Sequence, residues 1–215
     1  QQQTPALFNA IADQAMLHLK SFKPQEVSNL VWAYATARHE APQLFASIAA
    51  EAAPRLAEFN EQALSNTFWA YATARQDAPQ LFDAIAEQTV SRPQELTPQA
   101  LSLMVWAAAT TRHCTGEMMD AIADYTDARL FEALAGLVSQ RQRDFNPQDL
   151  ANTAWGLAKA CHVNPDLFAS LARCAESCVE QCNLQDLVNT AWAFAKVGQA
   201  DSELFAALAS TLAKR

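Results

Sequence analysis

Cationic side chains recur along the chain at spacings that could hold the phosphates of an extended single strand of nucleic acid. Three arginines lie 37 residues apart, and two lysines further along are also 37 residues apart. These five candidate phosphate-binding residues are Arg38, Arg75, Arg112, Lys159 and Lys196. A structural role is the alternative, because a cation at the C-terminal end of a helix interacts favourably with the helix dipole, by about 0.3–1 kcal/mol.

Amide side chains form a second recurring set, and they could read the edges of bases because an amide both donates and accepts hydrogen bonds. The candidates are Asn29, Asn66, Asn152 and Asn189. A glutamine stands four residues before each asparagine, so both project from one face of a helix. The alternative is that each asparagine binds a neighbouring loop or backbone group and fixes the step between units.

Two further sets lie close to these amides. Positions that vary between units could tune a contact, and they are Leu30, Thr67, Met104, Thr153 and Thr190. The tryptophans could stack on bases, but their regular placement among alanines favours a packing role in the core. They are Trp32, Trp69, Trp106, Trp155 and Trp192.

The tryptophans also reveal an internal repeat, with successive spacings of 37, 37, 49 and 37 residues. Six pairs of apolar residues, from Leu7-Phe8 to Leu204-Phe205, follow the same period. The single long interval predicts an insertion of 12 residues in the third unit, either as about three extra helical turns or as a short extra helix.

Each unit holds two predicted helices. The first begins near Pro24, and the second begins at Pro42 with equivalents at Pro79 and Pro165. A helix pair of this size cannot bury its apolar face alone, so neighbouring pairs must stack. The sequence therefore predicts an all-α fold, a right-handed α-solenoid of two-helix repeats with period 37 and about eleven helices.

The predicted domain is a single solenoid over residues 1–215. It comprises a half unit at 4–20 and units at about 22–58, 59–95, 96–142 with the insertion, 145–181 and 182–215. The chain opens on Gln1 without an initiator methionine, so we expect a mature or excised fragment whose targeting segment is not in view. No apolar run approaches the length of a membrane span.

The charge, the motifs and the cysteine count limit which functions are possible. The formal net charge is −8, so nucleic-acid binding must rest on a local basic stripe rather than on the overall field. Enzyme motifs such as a P-loop or HExxH are missing, which predicts a protein that is not an enzyme. Five cysteines, an odd number, indicate a reducing compartment.

No cofactor and no metal are expected. Cys174, Cys178 and Cys182 lack the four-ligand set of a structural zinc site. The acidic residues of the third unit are more typical of a solvent-exposed helix face than of a cation-binding site. They are Glu117, Asp120, Asp124 and Asp127.

Four segments carry a family resemblance. They read FKPQEVSNLVWAYATA (22–37), FNEQALSNTFWAYATA (59–74), FNPQDLANTAWGLAKA (145–160) and CNLQDLVNTAWAFAKV (182–197). These segments resemble the octotricopeptide repeats of organellar RNA-binding proteins and the related heptatricopeptide repeats. The resemblance covers essentially the whole chain, and it implies a protein of the chloroplast or mitochondrion that binds single-stranded organellar RNA in transcript stability, processing or translation.

A second function stays open. The same stacked surface would serve as a protein–protein scaffold, a structural subunit of a large organellar assembly such as a ribosome or photosynthetic complex. The acidic charge favours this alternative. Salt response distinguishes the two, because phosphate contacts weaken steeply with added salt.

Overall fold

The structure is a computed structural model, and it describes residues 3–111, 120–199 and 201–214. Within those ranges every regular element is helical, and the predicted count of eleven α-helices is confirmed. In chain order they are α1 Gln3–His18, α2 Pro24–Ala37, α3 Pro42–Ala52, α4 Glu61–Ala74, α5 Pro79–Ser91, α6 Pro98–Thr111, α7 Asp120–Arg141, α8 Pro147–Lys159, α9 Pro165–Cys178, α10 Leu184–Lys196 and α11 Ser202–Ala213.

The helices begin where local chemistry favours it. Proline occupies the first position of α2, α3, α5 and α9, as the sequence predicted, because the missing N–H of proline has no helical partner there. Asn60, Asn146 and Asn183 cap α4, α8 and α10 by accepting a hydrogen bond from a backbone N–H in the first turn. These caps fix the first residue of the helices that carry the candidate site.

Several of the same helices end in the left-handed backbone region. Arg38 and Arg75 follow α2 and α4 with φ of 52° and 54°, and Cys161 and Gly198 occupy the equivalent place after α8 and α10. Glycine is the residue that adopts this conformation without strain, whereas other residues lose about 1–2 kcal/mol. Arginine is thus retained at two positions where glycine would be easier to accommodate.

The 12-residue insertion contributes to α7. This helix is 22 residues long, compared with 13 in α5, and it runs without a break from Asp120 to Arg141. The expected alternative of a separate short helix therefore does not hold from Asp120 onward. The remaining residues between α6 and α7, including Met118 and Arg112, lie outside the described residues.

Successive helices belong alternately to two groups, and the members of each group contact one another. We call α2, α4, α6, α8 and α10 the even helices, and each packs against the next one in that order. The odd helices also contact one another in chain order, from α1 to α11. The even helices make the more extensive mutual contacts, so they form the most closely packed part of the molecule.

Small residues allow this close packing. Gly156 in α8 faces Val105 in α6, and a Cβ atom built on Gly156 would lie 2.7 Å from the Val105 Cγ1 atom and 3.0 Å from its carbonyl oxygen. Alanine occupies the equivalent place in α4, α6 and α10, where it is fully buried. A larger side chain at this position would separate neighbouring even helices.

Tyrosines link the even helices to the odd ones. The Tyr34 hydroxyl donates to the Phe8 carbonyl at 2.5 Å, and the Tyr71 hydroxyl donates to the Phe45 carbonyl at 2.7 Å. Phe45 also packs edge-on against Tyr71, with ring centroids 4.9 Å apart. The two tyrosines are 37 residues apart, so one contact is made twice.

Arginines make a second repeated contact, which we call the arginine clamp. The guanidinium groups of Arg55, Arg92 and Arg141 donate to the carbonyls of Phe22, Phe59 and Leu96, respectively. Each clamp joins the end of an odd helix to the segment that precedes an even helix. It fixes the spacing between the two helices of a pair.

Candidate nucleic-acid interface

One face of the even helices carries most of the residues that the sequence predicted as ligands. Glutamine, asparagine, tryptophan and a threonine or lysine follow at steps of four, three and four residues, which places them within about 60° of arc on a helix. We call this surface the stripe. Its members in α2 are Gln25, Asn29, Trp32 and Thr36, and all four are exposed. The equivalent residues of the other even helices continue the stripe across the molecule.

The tryptophans form an unbroken ladder along the stripe. Neighbouring indole centroids lie 6.4, 6.3, 6.2 and 5.9 Å apart from Trp32 to Trp192, with interplanar angles between 22° and 37°. Trp32 and Trp192 are 46% and 42% exposed, and the three between them are half-buried. The expectation of core packing holds in part, because Trp69 and Trp106 also pack against the buried core, whereas Trp32 and Trp192 at the ends of the ladder are exposed.

The asparagines lie beside the ladder. Asn29 is exposed, and Asn66, Asn152 and Asn189 are half-buried. The Asn29 Oδ1 atom accepts from the Gln25 Nε2 atom at 3.2 Å, and Asn189 accepts from Gln185 at 2.8 Å. Each of these two bonds lies within a single helix and engages the oxygen of the asparagine amide. Leu103 replaces the asparagine in α6 and interrupts the row of amides.

The predicted cations divide into two groups. Lys159 and Lys196 lie on the stripe, and the Lys159 Nζ atom sits 4.6 Å from the centroid of the Trp155 ring, a cation–π contact. Arg38 and Arg75 are exposed at the left-handed positions just beyond α2 and α4. Arg112, the third arginine of the set, lies outside the described residues.

Positions expected to tune a contact are instead inside the protein. Leu30 is half-buried, and the other four are buried, namely Thr67, Met104, Thr153 and Thr190. Each lies two residues before a tryptophan, about 200° around the helix from it, and therefore faces away from the stripe. This expectation is wrong, and the positions that vary on the surface are those of Thr36, Leu103, Lys159 and their equivalents.

Two carboxylates flank the N-terminal ends of the even helices, with Asp149 buried and Glu61 half-buried. Burial raises the pKa of Glu61, and a hydrogen bond from the Thr97 hydroxyl acts in the opposite direction. Burial also raises the pKa of Asp149, whose carboxylate accepts from the Ser102 hydroxyl at 3.1 Å and caps α8. These carboxylates hold neighbouring even helices in register beneath the stripe.

The described ranges hold neither a cluster of metal-ligating side chains nor a membrane-spanning helix. No group of three or more His, Cys, Asp or Glu side chains there is arranged to hold a metal ion. No helix among them is long and apolar enough to span a membrane. Of the predicted acidic cluster, Glu117 and the side chains of Asp120, Asp124 and Asp127 lie outside the described residues.

The ladder is not evident from the sequence, where the regular placement of the tryptophans among alanines favours a packing role. The signal was present in the spacing, since Gln25, Asn29, Trp32 and Thr36 follow a helical period and three of them are polar. The arginine clamp was missed as well, although its arginines recur with the period of the repeat.

Comparison with known protein families and curated proteins gives no information on this site. No model of a known protein family matches the chain. No curated protein matches it significantly.

Proposed function

We propose that this chain is an α-solenoid of the octotricopeptide or heptatricopeptide type that binds single-stranded RNA along the stripe. The repeat markers and the ordered contacts among the even helices support a solenoid of stacked two-helix repeats with period 37. The resemblance supports a place in the chloroplast or mitochondrion, with a role in transcript stability, processing or translation. The stripe is the observation that carries the proposal.

The spacing of the ladder favours an extended strand. Neighbouring indoles are 5.9–6.4 Å apart, whereas nucleotides in a stacked strand rise by about 3.4 Å. A base inserted between two rings would need about 6.8 Å, so the rings remain in contact with one another. Bases would lie against the outer edges of the indoles, one nucleotide to each even helix.

The amides and the cations contact different parts of the RNA. Asparagine amides offer donors and acceptors to base edges, and α6, which carries Leu103, tolerates any base at its position. Lys159, Lys196, Arg38 and Arg75 neutralise phosphates at the C-terminal ends of the even helices. Because the whole chain carries a net charge of −8, binding depends strongly on these few cations.

The first prediction replaces the five predicted cations together, as Arg38→Gly, Arg75→Gly, Arg112→Gln, Lys159→Gln and Lys196→Gln. Glycine suits the left-handed backbone at the first two positions, so the helical circular dichroism spectrum should not change. Affinity for a 5′-hydroxyl RNA oligonucleotide should fall at least a hundredfold in a fluorescence anisotropy titration. In the parent protein, log–log salt dependence should have a slope near −0.7 for each phosphate contacted.

A matched control removes the same charge away from the stripe. The exposed cations for this variant are Lys20, Lys23 and Lys214, each replaced by glutamine, and it is compared with a stripe variant that carries only Arg38→Gly, Arg75→Gly and Lys196→Gln. Its affinity should stay within about threefold of the parent once the salt-dependent background is subtracted. Equal losses in the two variants would show that RNA responds to net charge alone, and unchanged affinity in the first would remove the stripe as the binding surface.

The acidic charge favours one other candidate, a protein–protein scaffold in a large organellar assembly. A protein partner held by apolar anchors would bind with little dependence on salt. Recovery of a fixed set of proteins at stoichiometric yield, without RNA and resistant to salt, would support this function in place of the first.

A further inference from the structure

The helix pair α8–α9 lacks the arginine clamp, and a cavity lies at the same place. The positions equivalent to Arg55, Arg92 and Arg141 continue with Cys178, at the end of α9. The Cys178 thiol donates within its own helix, to the Cys174 carbonyl at 3.3 Å. It is also too short to reach across to the segment before α8, as the arginines do before α2, α4 and α6.

The same place can be compared in two helix pairs of one molecule. Beside Arg55 the space left between Leu19, Val27 and Glu51 is about 10 Å³. Beside Cys178 a cavity of about 540 Å³ lies between the equivalent residues Gln142, Leu150 and Cys174. The larger value is within the usual range of small-molecule sites, about 300–1,000 Å³. Loss of one arginine side chain thus coincides with a cavity large enough for a ligand.

The chemistry of this cavity favours an anion. Arg143 and Arg173 line it, and its lining includes no carboxylate. Both guanidinium groups lie close enough to the Cys174 thiol to lower its pKa, although burial has the larger and opposite effect. Arg173 replaces alanine, glutamate and glycine at the equivalent places of the other odd helices Pro42–Ala52, Pro79–Ser91 and Asp120–Arg141. In a chain with a net charge of −8, this is a local concentration of positive charge.

A buried amide supplies an independent sign of a ligand. Gln142 is only 8% exposed, its Nε2 atom donates to the Ser139 carbonyl and to the Ser170 hydroxyl, and its Oε1 atom has no hydrogen-bond partner. An unpaired buried acceptor is destabilising by about 1–3 kcal/mol. The equivalent position in the first unit is Leu19, which has no such requirement.

We propose that the cavity between α8 and α9 binds a phosphate monoester, with Arg143 and Arg173 on the phosphate and Gln142 accepting from a hydroxyl or amine of the same ligand. Paired guanidinium groups suit the several oxygens of a phosphate, because each presents a planar fork of donors. Ser170 and Ser177 add hydroxyl groups to the same lining. The ligand is either a free nucleotide or the 5′-phosphate end of an RNA, and this site is independent of the stripe.

The test measures binding of adenosine monophosphate, inorganic phosphate and glutarate to the full chain by isothermal titration calorimetry at low salt. We expect saturable one-to-one binding of adenosine monophosphate, weaker binding of inorganic phosphate and no saturable binding of glutarate. The double variant Arg143→Gln, Arg173→Gln should weaken binding at least tenfold. Both side chains are exposed, so this variant should keep its fold.

A second variant, Cys178→Arg, restores the clamp and fills the cavity. It should abolish binding of adenosine monophosphate and raise the melting temperature. Its counterpart Arg55→Cys opens the first site, which lacks Gln142 and Arg173, and should add no second site for the nucleotide. Unchanged affinity in the double variant, unchanged affinity in Cys178→Arg, or equal binding of glutarate would each overturn the proposal.

Two RNA oligonucleotides distinguish the source of the phosphate. If the site holds an RNA end, a 5′-phosphorylated strand should bind more tightly than the same strand with a 5′-hydroxyl, and only the former should respond to Cys178→Arg. If the site holds a free nucleotide, the two strands should bind equally while adenosine monophosphate still binds. Binding of neither adenosine monophosphate nor the 5′-phosphate would refute the site without bearing on the stripe.

Discussion

At the scale of single residues, the two linking tyrosines are equally buried, but their acceptors differ in burial. Phe45, whose carbonyl accepts from Tyr71, is buried, whereas Phe8, whose carbonyl accepts from Tyr34, is half-buried, so only the second bond is partly open to solvent. Burial raises the pKa of Tyr71 well above its ordinary value, because the phenolate cannot be solvated there. The stability of the protein should therefore fall at alkaline pH, where the Tyr71 hydroxyl loses its proton on unfolding.

The prediction is that Tyr71→Phe lowers the free energy of unfolding by about 0.5–1.5 kcal/mol at neutral pH, the usual contribution of one hydrogen bond. In the parent, the raised pKa of Tyr71 means that the folded state holds its proton when the unfolded state releases it. The contribution of the Tyr71 hydroxyl to stability is therefore fully present below about pH 10, and it is lost as the pH rises further. Urea denaturation at several pH values measures both effects.

Tyr34→Phe is the matched control and should show a smaller loss, with less dependence on pH. If Tyr71→Phe retained the full alkaline loss of stability, another group would have to be responsible for it.

At the scale of helices, the approach of α8 to α6 depends on one missing methyl group. Gly156→Ala would bring a Cβ atom within 3.0 Å of the Val105 backbone, which cannot yield without moving the helix. We predict a loss of about 1–3 kcal/mol in stability, typical of overpacking, although alanine is the better helix former.

The control for this change is Gly136→Ala in α7, where an added Cβ atom meets nothing within 4 Å. It should stabilise the protein by about 0.5–1 kcal/mol. Thermal melts of the two variants should therefore shift in opposite directions. A melting temperature raised by both would show that α6 and α8 separate without penalty.

The sequence predicted these elements better than it predicted their surfaces. Prolines and a period of 37 residues located the helices because capping and repetition are local properties of the chain. Whether Trp69 or Thr67 is exposed depends instead on which face the neighbouring helices cover. The sequence pattern alone therefore does not distinguish the partly exposed ladder from the buried threonines.

At the scale of the whole molecule, the two ends leave apolar surface uncovered. Leu7 and Leu17 of α1 are 59% and 72% exposed, and Leu184 and Val188 of α10 are 60% and 51% exposed. Equivalent positions in the interior, such as Leu44 and Ser102, are buried against the next helix. The end helices therefore have fewer neighbours to hold them.

We predict that amide hydrogen exchange follows this gradient. In an array whose units interact only with their neighbours, protection should be greatest in α4, α6 and α8 and least in α1 and α11. Exchange measured by mass spectrometry on proteolytic peptides would test it. Uniform protection along the chain would show that the molecule unfolds as a single cooperative unit.

The tryptophan ladder has an optical consequence. Five indoles whose neighbours lie 5.9–6.4 Å apart are close enough for excitation to migrate from ring to ring before emission. Fluorescence excited anywhere along the ladder should therefore be depolarised. Replacing the middle tryptophan, Trp106, with leucine should stop transfer between the two halves of the ladder. The molecule thus carries an unlabelled reporter of the register between its even helices.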